Sequence, residues 1–156
     1  MDDLRIPMEE FVAEVVCADG RRFTGRVFVP KGALTHEGPM RADEWINSPE
    51  QFFPFLEEGL TRPFLLNKGQ IAVLNVSASA DSGGVAEEAP APERRVEVEV
   101  AGMQIRGTVS IEMPEGHERT VDFMNQPEAF VTVREGERHH LVRKRRITRI
   151  VEIREE

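Results

Sequence analysis

Apolar and polar side chains alternate every second residue over much of the chain. Val96, Val98 and Val100 are interleaved with Glu97 and Glu99; beyond a turn at Ala101-Gly102, Ile105, Gly107, Val109 and Ile111 are interleaved with Arg106, Thr108, Ser110 and Glu112. A period of two puts one set on a buried face and the other in water, so the pair reads as an antiparallel hairpin. Val12 to Cys17, a turn at Asp19-Gly20 and Phe23 to Val29 repeat it near the start. Further strands are predicted at Gln51 to Leu56, Pro63 to Leu66 and Gln70 to Val76, and at Ala129 to Val133, His139 to Arg143 and Arg146 to Ile153. Pro30 and Pro114 mark loops, and Arg41 to Asn47 reads as one helical turn stopped by Pro49. Ile147, Ile150 and Val151 also fit helical spacing. The β-branched residues there, and turn chemistry at Asn67-Lys68-Gly69 in the matching place, favour strands.

The elements come in two sets because the sequence repeats itself. Trp45-Ile46-Asn47-Ser48-Pro49-Glu50-Gln51-Phe52-Phe53 aligns with Phe123-Met124-Asn125-Gln126-Pro127-Glu128-Ala129-Phe130-Val131, and Leu65-Leu66-Asn67-Lys68 with Leu141-Val142-Arg143-Lys144. Upstream, Phe23 to Val29 aligns with Ile105 to Ile111, which puts Gly25 and Gly107 at one position of the second strand. A glycine there permits a sharp bend or the close approach of another backbone, as a small barrel requires. The expected fold is therefore all-β: two tandem five-stranded small barrels of bent antiparallel sheet, related by internal duplication, with one short helical turn per lobe. Residues 1–77 form the first lobe and 94–156 the second, and a pseudo-two-fold packing of one on the other is expected, since each is near the lower size for a lone core. Residues 78–93, rich in Ala, Ser, Gly, Pro and Glu, read as a flexible acidic linker.

The 156 residues carry 20 Lys and Arg against 28 Asp and Glu, a net charge of −8 that argues against a general polyanion binder. The excess is unevenly placed. Residues 1–77 hold 8 bases and 12 acids, 78–93 hold 4 acids and no base, and 94–156 hold 12 of each. Cys17 is the single cysteine, which excludes an intramolecular disulfide and fits a reducing compartment. No apolar run is long enough for a membrane helix, and Met1-Asp2-Asp3-Leu4-Arg5 is too acidic for the start of a signal peptide, so a cytoplasmic protein is expected.

Candidate chemistry is sparse. No nucleophile elbow, phosphate loop, dinucleotide fingerprint or zinc-protease motif occurs, and no cofactor is expected. His139 and His140 are adjacent, so on a strand they face opposite ways, while His36 and His117 fall in loops; no metal site is expected. The conspicuous feature is residues 138–149, with Arg138, Arg143, Lys144, Arg145, Arg146 and Arg149. It suits phosphate oxygens or an acidic protein surface, or else a charged strand face opposite Glu97 and Glu99. Phe52, Phe53, Phe55 and Phe64 are too many for one thin sheet face, which assigns some of them, with Phe28, to a surface between lobes or against a partner.

Asp43-Glu44-Trp45-Ile46-Asn47 and Leu66-Asn67-Lys68-Gly69-Gln70-Ile71, behind a strand bent at glycine, resemble the motifs of the Sm-like small β-barrels. The second copy departs from them: Asp122-Phe123-Met124-Asn125 is one residue shorter, and Val142 to Ile147 has no glycine. The resemblance implies RNA contacts at Asn47, Lys68, Asn125 and Lys144, and two fused copies filling alternate places in a ring. The leading expectation is a non-enzymatic, bacterial-type scaffold or protein-binding module. Phe28 and Phe53 would anchor another protein or a further copy of the chain, and the Arg-rich strand would select it electrostatically. RNA binding through that strand is the alternative.

Overall fold

The computed structural model describes residues 8–30, 41–82, 91–114, 116–117 and 119–154. Residues 1–7, 31–40, 83–90 of the expected linker, 115, 118 and 155–156 lie outside them. Ten strands form: β1 (Met8–Cys17), β2 (Arg22–Pro30), β3 (Phe52–Glu57), β4 (Phe64–Asn67) and β5 (Ile71–Ser77), then β6 (Glu93–Val100), β7 (Met103–Ser110), β8 (Phe130–Glu135), β9 (Arg138–Arg143) and β10 (Ile147–Glu152). Short helices α1 (Ala42–Ile46) and α3 (Thr120–Met124) occupy matching places before β3 and β8, each followed by an Asn. A third, α2 (Ala78–Ser82), forms where the linker was expected to begin. No helix among the described residues is long and apolar enough to cross a membrane.

All ten strands belong to one antiparallel sheet, in the order β10, β6, β7, β8, β9, β5, β1, β2, β3, β4. The strand order within each half is the same, and so is the register. Cys17 faces Ile71 and Val16 faces Val73 across a bulge, as Val100 faces Ile147 and Glu99 faces Arg149. Phe52 faces Asn67 as Phe130 faces Arg143.

The halves are not the separate barrels expected. β5 pairs with β9, with Val73 opposite Val142, Leu74 opposite Leu141 and Asn75 opposite His140, so one open sheet runs through both and ends at β4 and β10. Nor is the relation two-fold. A two-fold axis would pair like strands, whereas this joint sets the fifth strand of one half against the fourth of the other. The physical reason is the edge: both are outer strands of their halves, and their unpaired backbone groups are satisfied by each other.

The joint also mixes the cores. One cluster, around Trp45, Phe53, Phe55, Val15 and Leu74, includes Phe130 and Leu141 from the second half. The other, around Val96, Val98, Val109 and Val133, includes Val16, Ala72 and Val73 from the first. Neighbouring residues on a strand point to opposite faces, so β1, β5 and β9 carry one core on each face. β5 is accordingly buried from Ile71 through Leu74 instead of alternating.

Gly25 and Gly107 act by close approach. A Cβ on Gly25 would stand 2.1 Å from the Leu56 carbonyl oxygen and one on Gly107 2.4 Å from that of Arg134, so each glycine lets a neighbouring strand cross. Only three residue pairs join β2 to β3, and one joins β7 to β8. Gly25→Ala and Gly107→Ala should each lower the unfolding free energy by about 2–3 kcal/mol in urea titrations. Gly69→Ala, whose methyl would meet only the Asn67 carboxamide at 3.2 Å, should cost below about 0.5 kcal/mol.

Candidate functional site

The densest polar chemistry lies at the joint between the halves. The chain leaves α1 at Asn47, whose Nδ2 donates to the Asp43 carbonyl at 2.9 Å while its Oδ1 accepts the Phe130 backbone N–H at 2.9 Å. Lys68 opens a 3-10 turn after β4. Its Nζ donates to the Trp45 carbonyl at 2.9 Å and to the Ser48 carbonyl and hydroxyl at 3.2 and 3.1 Å, and lies 4.5 Å from the centre of the Trp45 ring. Arg143 crosses the joint: Nε donates to the Ile71 carbonyl at 2.7 Å and a terminal nitrogen to the Lys68 carbonyl at 2.5 Å, with the guanidinium 4.5 Å from the Phe130 ring. Asn47, Ser48, Lys68, Phe130 and Arg143 line a recess of about 290 Å³.

The second half repeats the arrangement more loosely. Lys144 Nζ donates to the Gln126 carbonyl at 3.0 Å and stands 6.0 Å from Phe123, and Asn125 Nδ2 donates to the Val121 carbonyl at 2.9 Å. The fifth-strand side of this half is an end of the sheet among the described residues.

Burial dominates the electrostatics. It lowers Lys68 to about 8, with Arg143 adding to the fall and Glu50 opposing it. Arg143 is lowered first by burial and then by the charges of Arg145 and Arg146, and burial also lowers Lys144, against Glu128. The buried Cys17 thiol is pushed up by desolvation, then by Asp19, which disfavours a nucleophilic thiolate.

Asn47 and Asn125 are tied to backbone carbonyls of their own helical turns and Lys68 and Lys144 to carbonyls at the ends of α1 and α3, and Lys68 is buried, so its ammonium does not face solvent as a phosphate contact would require. Phe53 is corrected from docking anchor to core: it is fully buried, edge-on to Trp45 at 4.8 Å. Phe55 and Phe64 likewise pack with Phe23 inside the first half, and Phe28 is half-buried opposite Glu10.

The basic residues do not form one strip. Arg138 lies at the far end of β9, roughly 17 Å along the strand from Arg143. Arg145 and Arg146 are exposed on a 3-10 turn, and Arg149 pairs with Glu99 at 3.3 Å, the cross-strand contact expected from the sequence. Of the acids facing the basic segment, Glu99 is met by β10, while β9 lies against β8 and β5.

His139 and His140 are both buried. His140 Nδ1 lies 2.6 Å from Asn75 Oδ1 and Nε2 2.9 Å from Glu135 Oε1, and Asn75 Nδ2 donates to Glu14 at 2.9 Å. This polar chain across the joint is not legible in the sequence, because nothing in a two-histidine strand announces which strand lies opposite. His117 is exposed and His36 lies outside the described residues. Among the described residues no three His, Cys, Asp or Glu side chains gather as metal ligands.

A larger recess of about 370 Å³ is lined by Arg41, Asp43, Ser110, Thr132, Arg134 and His139, with Glu112 and Glu128 at its wall. No family model, curated protein or solved structure matches the chain.

Lys68 carries a pH signature. Its pKa is about 8 folded against 10.5 for the free side chain, so between those values the unfolded chain holds the extra proton and stability rises with pH. The rise should be on the order of 2 kcal/mol from pH 8 to 10.5 and absent from Lys68→Met, read as the difference between their urea unfolding curves.

Proposed function

We propose that the chain is a non-enzymatic protein-binding or scaffold module that recruits its partner by adding a strand to the sheet. The observation that carries this reading is the pair of sheet ends that have no strand partner among the described residues and bear exposed apolar side chains: Leu65 on β4, 66 % exposed, with Phe52 beside it on β3, and Val151 on β10. An open edge supplies backbone hydrogen bonds, and its outward side chains supply selectivity. The apolar anchors are thus Phe52 and Leu65, in place of Phe28 and Phe53. Arg145 and Arg146 stand at the turn leading into β10, where they favour an acidic partner segment. A cytoplasmic setting accords with the lone buried Cys17.

Capture from the native cell tests the reading. Proteins retained by the wild-type chain should be lost with Leu65→Lys or Val151→Lys, and captured proteins unaffected by both would refute edge binding. Binding anchored by an apolar edge should respond far less to salt than phosphate binding would.

A second reading is RNA binding at the turn after β9. It is favoured by the exposure of Arg145 and Arg146 and by the charge they impose on Arg143. It predicts affinity for a labelled oligoribonucleotide that falls steeply with salt, the logarithmic slope flattening by about one unit per Arg→Gln substitution at 145 or 146. No binding at low salt would remove it.

A further inference from the structure

We infer that His140 is a proton-operated latch at the middle of the joint, closed on Glu135 when both ring nitrogens are protonated and released from it when Nε2 is not. The latch is independent of what binds at the sheet ends. Thr24, Glu14, Asn75, His140 and Val133 stand opposite one another in turn on β2, β1, β5, β9 and β8, so they form one row across the sheet. Asn75 and His140 are the central pair of the five that join the halves. Glu14 Oε1 takes Asn75 Nδ2 at 2.9 Å and an Arg22 nitrogen at 3.4 Å, which turns the nitrogen of the carboxamide toward Glu14 and its oxygen toward the ring. Asn75 Oδ1, 2.6 Å from His140 Nδ1, therefore accepts. Glu135 Oε1, 2.9 Å from Nε2, is a carboxylate oxygen and accepts as well. Two acceptors on one ring call for two N–H donors, which only the imidazolium has.

The two contacts respond differently to the loss of a proton. His140 is 6 % exposed, and Asn75 cannot turn without giving up Glu14, so the remaining proton stays on Nδ1. Nε2 then presents a lone pair to a carboxylate, and Glu135, whose side chain is 57 % exposed, turns away to water. Release acts on the turn at residues 136–137, whose Glu137 carbonyl holds the Ala78 N–H at 2.8 Å where the chain leaves β5. The cations near the ring oppose its charge. Arg106 lines the same recess of about 320 Å³ and pairs with Glu97 at 3.3 Å, Arg138 lies two residues along β9 on the same face, and Arg22 is held by Glu14. Glu135, in direct contact with the ring, offsets them.

Long-range nitrogen NMR spectra of the histidine rings in the full chain, recorded from about pH 5 to 8, read these protons directly. His140 should show two protonated nitrogens at the acid end and Nδ1 alone protonated at the alkaline end. Over the same step, amide exchange at residues 135–138, corrected for its intrinsic dependence on pH, should speed up about fivefold. Glu135→Gln, a change at an exposed side chain, should remove the exchange step, because a carboxamide can turn its NH2 to an unprotonated Nε2 and keep the contact at either pH. Glu135→Ala should also lack the step, with fast exchange at both ends of the range. All other titrating groups are common to the three chains, so the difference between them isolates the latch. A His140 ring that holds the same protons across the whole range would overturn the inference, as would an exchange step of undiminished size in Glu135→Gln.

Discussion

The structure depends on the ladder between β5 and β9. Each half is small, and a small half cannot shield its apolar residues alone. The ladder removes this limit in two ways. It pairs two strand edges whose backbone groups would otherwise face water, and it turns three central strands into a partition with a core on either side. Phe130 and Leu141 complete the core built around Trp45, while Val16 and Val73 complete the valine-rich core of the other half. Pulling the halves apart would open both cores at once, so the ten strands belong to one stability unit, not two tethered ones.

The polar residues of the joint follow from that partition. Arg143 can be half-buried because its guanidinium donates to the carbonyls of Ile71, at the start of β5, and Lys68, in the turn before it, and lies over Phe130, which replaces much of its hydration. Lys68 has three acceptors and an aromatic face for one ammonium, yet burial still outweighs them and its pKa falls. Asn47, exposed on the surface, uses both ends of its carboxamide to connect the end of α1 with the start of β8. Residues that attract attention as possible RNA ligands are here the fasteners of a turn and a seam.

Much of the fold is legible in the sequence because alternation reports directly which face of a strand is buried. All ten strands, both Asn-terminated helical turns and the two crossing glycines fall where the pattern places them. The joint is not legible, because periodicity identifies faces and is silent about edges. Nothing in Ile71-Ala72-Val73-Leu74 names β9 as its neighbour, although a run apolar on both faces is the mark of a strand buried on both sides. The place of the aromatic residues is hidden for the same reason. Phe53, Phe55 and Phe64 looked too numerous for one sheet face, but a sheet that curls back at Gly25 encloses a core deep enough for them to pack edge to face.

The choice of edges gives the architecture its polarity. Had the halves met through like strands, the joint would have been self-complementary, and the ends left over would have been alike. Meeting through unlike strands gives the sheet a direction, a β4 end and a β10 end that differ in chemistry. The β4 end is short and follows Pro63, carries no charge, and relies on Phe64, Leu65 and Leu66. The β10 end carries Arg149 and Glu152, and Arg149 is held by Glu99. Charges and a flanking proline are how edge strands avoid indiscriminate pairing. Here the protection is partial and unequal on the two ends.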